Sequence, residues 1–156
     1  MGAHEEGSRT DEWYTPRWVF ESLGVRFDLD PCSNVGAPAR DFCDVSWFDS
    51  GLERPWFGSV WLNPPFGGRN AVVPWLDRMI ASGDGIALLP NRTGAGWWQD
   101  VAEEADCLLF HRGKIKFERG DGPAVGSPGF GNVFMAFGDE MRDRLWLSSL
   151  EGVRRQ

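Results

Sequence analysis

The chain has few of the residues that build metal centres and histidine-dependent catalysis. Its 156 residues include two histidines, His4 and His111, and three cysteines, Cys32, Cys43 and Cys107. The cysteines are odd in number and lack the paired spacing of a zinc site. This composition disfavours a metal site and a triad that depends on histidine. We expect the cysteines to be reduced thiols of a cytoplasmic protein.

Long hydrophobic runs are also absent. No apolar stretch approaches the length of a membrane-spanning helix, and the N-terminus lacks the charged-then-apolar pattern of a signal peptide. The sequence therefore predicts no membrane partner. Tyrosine is scarce, with one residue against nine Trp and eleven Phe. Because the apolar content is too high for a disordered chain, we expect one domain with an unusually aromatic core.

The net charge of −7 is unfavourable for a protein that binds nucleic acid. The acidic residues, however, are concentrated near the ends and in helix-like stretches. Between them, the segment from His111 to Arg119 carries four cations and one carboxylate. Ile115 and Phe117 alternate with the cations and are expected to point inward. This segregation of charge is compatible with one basic face, although a basic loop is more often simply solvated.

Apolar strands and helices alternate along the chain. Strands are predicted near residues 25–30, 59–62, 85–90, 107–110 and 133–137, and helices after Thr15-Pro16 and over residues 74–81, 96–104 and 139–150. The pattern indicates a mainly parallel α/β sheet with helices on both faces. We expect a flexible N-terminal segment over residues 1–10, one domain over 11–150 and a C-terminal tail over 151–156.

Polar residues follow three of the predicted strands, at the point where each strand ends. They are Asp30-Pro31, Asn63-Pro64-Pro65-Phe66 and Pro90-Asn91-Arg92-Thr93. In open parallel sheets, ligands bind beyond the carboxyl ends of the strands. The sequence therefore predicts that these three ends meet on one edge and form a cleft.

The segment Asn63-Pro64-Pro65-Phe66 has the features of a binding site for a planar amine. The Asn63 side-chain oxygen and the Pro64 carbonyl can both accept hydrogen bonds from one NH2 group. Neither proline has a competing N–H, and both rings fix φ near −65°. Phe66 provides a flat face on which a heterocycle can stack. The alternative is a strand-terminating turn packed by an ordinary phenylalanine.

With these elements in place, the chain resembles the phage-type DNA N-6-adenine methyltransferases, the Dam-like family, from about Asp11 to Gly138. The resemblance implies a single-domain class I (Rossmann-like) methyltransferase, with S-adenosylmethionine as methyl donor and adenine in DNA as acceptor. If a phage encodes the chain, it would act in the host cytoplasm. Five elements carry the resemblance in the family's own order: Glu12-Trp13-Tyr14-Thr15-Pro16, Leu29-Asp30-Pro31-Cys32, Asn63-Pro64-Pro65-Phe66, Leu88-Leu89-Pro90-Asn91-Arg92-Thr93 with Trp97-Trp98, and Gly113-Lys114-Ile115-Lys116-Phe117.

The resemblance also implies roles for individual residues. Asn63, Pro64, Pro65 and Phe66 would form the catalytic motif around a flipped adenine, because the amine of a paired base is otherwise inside the duplex. The remaining assignments concern the cofactor and the DNA. Cofactor contacts are expected from Tyr14, Thr15, Pro16, Asp30, Pro31, Cys32, Asp49 (adenosine amine) and Asp44 (ribose), and DNA contacts from Arg92, Arg112, Lys114, Lys116 and Arg119.

Two departures from related enzymes stand out. The Gly-x-Gly turn that follows the first strand in most class I methyltransferases is missing after Asp30-Pro31, and Phe66 stands where tyrosine is commoner. The phenylalanine keeps the stacking face and loses a hydroxyl. The chain also has no room for a separate target-recognition domain, so DNA reading is expected from loops such as residues 67–74 and 111–131.

Three alternatives remain open from the residues alone. The same motif occurs in enzymes that methylate a glutamine amide in proteins, and a related motif serves the exocyclic amine of cytosine. The chain could also be a non-catalytic DNA-binding module on a methyltransferase scaffold, although an intact Asn-Pro-Pro-Phe motif argues against that. The target sequence and the oligomeric state do not follow from the sequence.

Overall fold

The structure, a computed structural model, describes residues 13–119 and 130–156. The segment expected to be flexible, residues 1–10, and much of the loop 111–131 lie outside the described residues. Nine strands are described: β1 (Trp13–Tyr14), β2 (Phe27–Asp30), β3 (Cys43–Ser46), β4 (Val60–Leu62), β5 (Gly85–Pro90), β6 (Cys107–His111), β7 (Glu118–Arg119), β8 (Asn132–Phe137) and β9 (Gly152–Arg155). The helices are α1 (Arg17–Leu23), α2 (Arg69–Ser82), α3 (Gly96–Glu104) and α4 (Asp139–Leu147), with a 3-10 helix over Pro38–Phe42.

Seven strands form one mixed sheet in the order β3-β2-β4-β5-β8-β6-β9, while β1 and β7 form a small separate ribbon. The pairs β3-β2, β2-β4 and β4-β5 are parallel. The pairs β5-β8, β8-β6 and β6-β9 are antiparallel. The prediction of a mainly parallel sheet is therefore correct for one half of the sheet and wrong for the other.

The sequence could not distinguish the two halves, because β5 and β8 have the same burial pattern. All six residues of each strand are buried, so both are continuous apolar runs whose period carries no information about direction. Only the pairing of β8 between β5 and β6 fixes its orientation. Since β8 is antiparallel to both neighbours, β5 and β6 end at the same edge of the sheet.

Helices cover both faces of the sheet, as the sequence predicted. The core on one face includes Phe20 of α1 and Leu145 of α4, packed against strand residues such as Trp61. The core on the other face includes Leu76 of α2 and Trp98 of α3. This placement leaves the carboxyl ends of β2, β4 and β5 between the two helical layers.

Two elements differ from the sequence-based expectation. Helix α2 begins at Arg69, so Pro74 lies inside the helix and not at its start. A proline in the second turn removes one backbone hydrogen bond, and the buried residues Leu76 and Met79 on the following turns hold the helix on the sheet. The expected C-terminal tail instead contributes β9, which pairs with the edge strand β6.

The described helices include none that is both long enough and apolar enough to cross a membrane.

The junction of β4 and β5 requires glycine at position 85, and this predicts a clear destabilisation. A Cβ atom added to Gly85 would overlap the carbonyl oxygen of Val60 and lie against the methyl group of Met79. Gly85→Ala is expected to lower the free energy of unfolding by about 1–3 kcal/mol in urea titrations. Gly96→Ala, at the open first position of α3, is the control and is expected to be neutral or slightly stabilising. Equal stabilities of the two variants would contradict this account of the β4-β5 contact.

Candidate active site

The polar ends of three neighbouring strands lie together at one edge of the sheet. Strands β2, β4 and β5 are adjacent and parallel, and their last residues are Asp30, Leu62 and Pro90. Asn63 and Asn91, which follow β4 and β5, therefore emerge at the same edge as Asp30. This is the convergence that the sequence predicted, and we refer to this edge as the rim.

Asn63 is held at the rim by a residue from the N-terminal motif. The side-chain Nδ2 of Asn63 donates a hydrogen bond to Thr15 Oγ1 at 3.2 Å, and Thr15 is buried. Because the two polar atoms of a carboxamide lie on opposite sides, this bond directs Oδ1 away from Thr15. Thr15 was expected to contact the cofactor, and its visible role is to orient Asn63.

The N-terminal motif is itself held by the last two residues of the basic segment, which form β7. Strand β1 pairs antiparallel with β7, so that Tyr14 lies opposite Glu118. Tyr14 is buried, and its hydroxyl donates to the carbonyl of Val35 at 3.3 Å. Pro16 is also buried and precedes the first residue of α1, where its fixed φ suits the entry into the helix.

Phe66 lines a small cavity next to the rim. Its ring lies 6.0 Å from the ring of Phe130 at an angle of 89°, and the Arg92 guanidinium lies 5.6 Å from the Phe130 centroid. A cavity of about 250 Å³ opens beside Phe66, between Arg69 and Arg92, with Trp97 also in its wall. Aromatic faces and cations thus adjoin the Asn-Pro-Pro-Phe segment.

Asp30 is a buried carboxyl group at the end of β2. One of its oxygens accepts a hydrogen bond from the backbone N–H of Cys32 at 3.1 Å. Burial raises the pKa of Asp30 to about 7, and the hydrogen bond from the Cys32 N–H opposes this shift. At neutral pH the group is poised between its two protonation states, so a cationic ligand beside it would favour the charged form.

The segment after Asp30 is tied to the segment after β3. The Trp47 N–H donates to the Asp30 carbonyl, and the Ser33 N–H donates to the Trp47 carbonyl, both at 2.9 Å. Pro31 is buried and Cys32 half-buried within this connection. Burial, and secondarily the Asp30 charge, raise the pKa of the Cys32 thiol to about 12, so this thiol is neutral at physiological pH.

The two other carboxylates expected at the cofactor are in ion pairs. Asp44, on the amino-terminal half of β3, accepts a hydrogen bond from Arg26 Nε at 2.5 Å. Asp49 is mostly exposed and lies 3.3 Å from the Arg54 guanidinium. The structure does not bring either of them together with Asn63, and their contacts with a cofactor stay predictions.

The basic segment after β6 has the orientation that its alternating pattern predicted. Ile115 and Phe117 are fully buried, whereas Arg112, Lys114 and Lys116 are exposed. Since β6 ends at the same edge as β5, this segment leaves the sheet on the side of the rim. Arg119 belongs to β7, and the position of its side chain lies outside what is described.

Five exposed cations near the rim are not neutralised by ion pairs within the described residues. On α4, Arg142 and Arg144 pair with carboxylates of the same helix. Within residues 13–119 and 130–156, Arg69 and Arg92 form no ion pair, and neither do the three exposed cations of residues 112–116. Arg40, Arg78, Arg154 and Arg155 also form no ion pair among the described residues, so the rim is distinguished by the number of such cations at one edge and not by the lack of pairing alone.

Three residues of this site were not predicted from the sequence: Arg69, Phe130 and Asn132. Arg69 lies in a loop that the sequence proposed for DNA reading, so its charge could have drawn attention. Phe130 and Asn132 precede and begin an apolar strand, and no local pattern distinguishes them. Their position becomes visible only through the ring contact with Phe66 and the pairing of β8 with β5.

Other parts of the described surface bring together less of this chemistry. A cavity of about 890 Å³ lies against β9, with Phe110, Trp146 and Arg154 in its wall, and contains none of the predicted catalytic or cofactor-binding residues. Among the described residues, no three His, Cys, Asp or Glu side chains lie close enough to hold a metal ion. The rim at Asn63 is therefore the candidate active site.

The raised pKa of Asp30 predicts how stability depends on pH. The unfolded chain releases this proton near the ordinary value of 3.8, and the folded protein keeps it up to about pH 7. The folded state binds the extra proton in this window, so stability falls as pH rises. Relative to Asp30→Asn, the free energy of unfolding of the wild type should fall by up to about 1.4 kcal/mol per pH unit between pH 5 and 6.5 in urea titrations. Parallel curves for the two proteins would contradict the burial of an ionisable carboxyl.

Comparison with known proteins identifies the family of this chain. The family model of DNA N-6-adenine-methyltransferase (Dam) matches residues 2–142, which is most of the chain and includes every element of the rim. No curated protein and no solved structure matches the chain. The family match and the Asn-Pro-Pro-Phe segment at the rim lead to one conclusion: the chain belongs to the DNA N-6-adenine-methyltransferase (Dam) family.

Proposed function

We propose that the protein transfers a methyl group from S-adenosylmethionine to the exocyclic amine of adenine in DNA. The observation that carries this proposal is the hydrogen bond from Asn63 to Thr15. It orients the carboxamide at the end of β4 so that its oxygen can accept a hydrogen bond from a substrate amine. The family implies DNA adenine methylation, and this geometry supplies a way in which the chain's own residues would hold the acceptor.

Asn63 and Pro64 would hold the two amine hydrogens at once. The Asn63 oxygen accepts one and the Pro64 carbonyl accepts the other, and neither proline can donate a competing hydrogen bond. With both hydrogens engaged, the nitrogen lone pair faces the methyl donor without a strong base in the site. The rate gain comes from the fixed orientation of the reacting groups.

Phe66 would receive the extruded base. An adenine inside a duplex cannot present its amine to a protein, so the base must leave the stack. The half-buried ring of Phe66 borders the cavity between Arg69 and Arg92 and offers an aromatic face three residues after Asn63. Stacking on such a face contributes about 1–3 kcal/mol per base.

Asp30 fits a cationic cofactor. Its carboxyl group is buried beside the rim with a pKa raised to about 7, so a positive charge next to it would be stabilised more than in water. S-adenosylmethionine, when bound, supplies an electrophilic methyl group on a positively charged sulfur. Asp30, Pro31 and the adjacent backbone would hold its amino-acid portion, with Trp47 fixing their position.

The cations at the rim would hold the DNA backbone. Arg92, Arg112, Lys114 and Lys116 are exposed, and among the described residues none of them pairs with a carboxylate. Phosphates would therefore meet guanidinium and ammonium groups that are not already neutralised. This favours nucleic acid over a protein glutamine as the acceptor.

The direct test is methyl transfer from labelled S-adenosylmethionine. Purified protein is incubated with duplex DNA, single-stranded DNA or protein extract, and the products are resolved as methylated adenine, cytosine or glutamine. We expect label in N6-methyladenine. Label in N4-methylcytosine or in protein would identify one of the alternative acceptors, and no transfer to any acceptor would support a non-catalytic module.

Asn63→Ala should separate catalysis from cofactor binding. The substitution removes one of the two acceptors that orient the amine, and a misplaced reacting group costs about 100-fold in rate or more. Methylation is expected to fall by at least that factor. The melting-temperature increase caused by S-adenosylmethionine should remain, because the cofactor is bound by other residues.

Two further variants serve as graded controls for Asn63→Ala. Thr15→Val keeps the buried shape but removes the hydrogen-bond acceptor for Asn63, and we expect a loss of about tenfold. Phe66→Tyr keeps the stacking face and should remain active. Normal turnover by Asn63→Ala would mean that the motif is a structural turn, and no thermal shift with the wild type at millimolar donor would exclude the cofactor.

Salt dependence tests the role of the basic segment. If Lys114 and Lys116 contact phosphates, log affinity for DNA falls linearly with log salt, and each contact contributes about one unit of slope. The double variant Lys114→Ala, Lys116→Ala should therefore reduce the slope by about two units in fluorescence-anisotropy titrations. The double variant Arg142→Ala, Arg144→Ala, whose cations are paired on α4, is the control and should keep the wild-type slope. An unchanged slope in the lysine variant would place the DNA elsewhere.

A further inference from the structure

Asn132 has a buried side chain whose amide lacks hydrogen-bond partners among the described residues. It is 1% exposed, and within the part of the chain that the structure describes neither its Nδ2 nor its Oδ1 has a hydrogen-bond partner. Most buried side-chain amides in native proteins are paired, because desolvation without a partner is unfavourable. Such a group at the edge of an active site is more readily explained by a ligand than by the fold.

The position of Asn132 places it at the rim. It begins β8 and lies opposite Pro90, the last residue of β5. One residue earlier, the carbonyl of Gly131 accepts a hydrogen bond from the backbone N–H of Asn91 at 2.8 Å. Asn132 therefore stands at the same edge as the carboxyl ends of β4 and β5.

Asn132 and Asn63 are on the same face of the sheet. Phe134 and Ala136, which share the face of Asn132 by the two-residue period of a strand, belong to the core that contains Trp61. Asn63 follows Trp61 by two residues and shares its face in the same way. Strands β4 and β8 are separated by β5 alone, so the two carboxamides lie about two strand spacings apart, roughly 10 Å across the sheet.

The lateral order favours the acceptor base over the cofactor as the ligand. Asp30 is on β2, on the other side of β4 from Asn132, so that Asn63 lies between them. Asp30 and Asn132 are three strand spacings apart, which is roughly 14 Å. Phe130, two residues before Asn132, contacts the ring of Phe66, which packs against the core on the other face of the sheet, so the segment 130–132 borders both sides of the rim.

We propose that Asn132 is a positioning and specificity-determining residue that donates a hydrogen bond from Nδ2 to a ring nitrogen of the acceptor adenine. This rests on the proposed function. Asn63 and Pro64 engage the exocyclic amine, and the ring nitrogens N1, N3 and N7 that remain are all acceptors. A carboxamide with an unmatched donor complements any one of them.

The test combines stability with substrate analogues. Asn132→Leu replaces the amide with an apolar group of the same branching. If Asn132 is retained for function at the expense of stability, the variant should have a melting temperature about 2–4 °C above the wild type. Its kcat/KM for adenine-containing DNA should fall by about 10- to 100-fold, as expected when one hydrogen bond to a buried ligand is lost. The thermal shift caused by S-adenosylmethionine should be unchanged.

Oligonucleotides in which the target adenine has N1, N3 or N7 replaced by CH identify the bond. Wild-type protein should discriminate against one of the three by about tenfold more than against the others, and Asn132→Leu should lose that difference. Asn132→Ala introduces a smaller side chain that fits the same space. It should also lose the discrimination, and it serves as the second variant if leucine does not fit at this position. Phe134→Leu, two residues along the same face, is the control: it should lower the melting temperature and keep the discrimination.

Each outcome decides the inference. Equal kcat/KM for Asn132→Leu and the wild type, a discrimination that survives in the variant, or a loss of the cofactor-induced shift would overturn it while leaving the proposed function intact. A melting temperature lowered in both Asn132→Leu and Asn132→Ala would assign Asn132 to the fold and overturn it as well. Absence of DNA methylation by the wild type itself would overturn the proposed function first.

Discussion

The parallel pairing of β2, β4 and β5 is the constraint on which the rest of the site depends. Parallel neighbours end at the same edge, so Asp30, Asn63 and Asn91 meet without any special loop geometry. The antiparallel insertion of β8 then makes β6 end at this edge too, and with it the basic segment. One alternation of strand directions thus assembles a buried carboxyl group, an oriented carboxamide and a set of cations from distant parts of the chain.

Some cations of the molecule form ion pairs with carboxylates, and those near the rim form none among the described residues. The arginines of α4 lie beside carboxylates of the same helix, where exposed ion pairs contribute little to stability. The cations near the rim are left without such partners within the described residues. The net charge of −7 would by itself argue against an anionic partner, but these cations are groups at the rim that phosphates could neutralise.

Buried polar groups concentrate at the same edge. Asp30 carries a pKa raised by burial, Thr15 receives a hydrogen bond from Asn63, and Asn132 is fully buried at the start of β8. Elsewhere the two cores are built from apolar residues. Proteins depart from the rules of stable packing mainly where function requires it, and the rim is where this chain departs from them.

Local sequence patterns predicted the four helices, five of the nine described strands, the layers on both faces of the sheet, and the Asn-Pro-Pro-Phe segment at a strand end. These follow from local periodicity and from the restricted backbone of proline, which act within a few residues. The sequence also placed Ile115 and Phe117 inward and their neighbouring lysines outward. Tertiary structure alone decided the direction of β8, the addition of β9, the ion pairs of Asp44 and Asp49, and the bond between Thr15 and Asn63, which are 48 residues apart. These features depend on which distant strand or side chain becomes the partner. A local burial pattern does not identify that partner, because any apolar partner could bury the same residues.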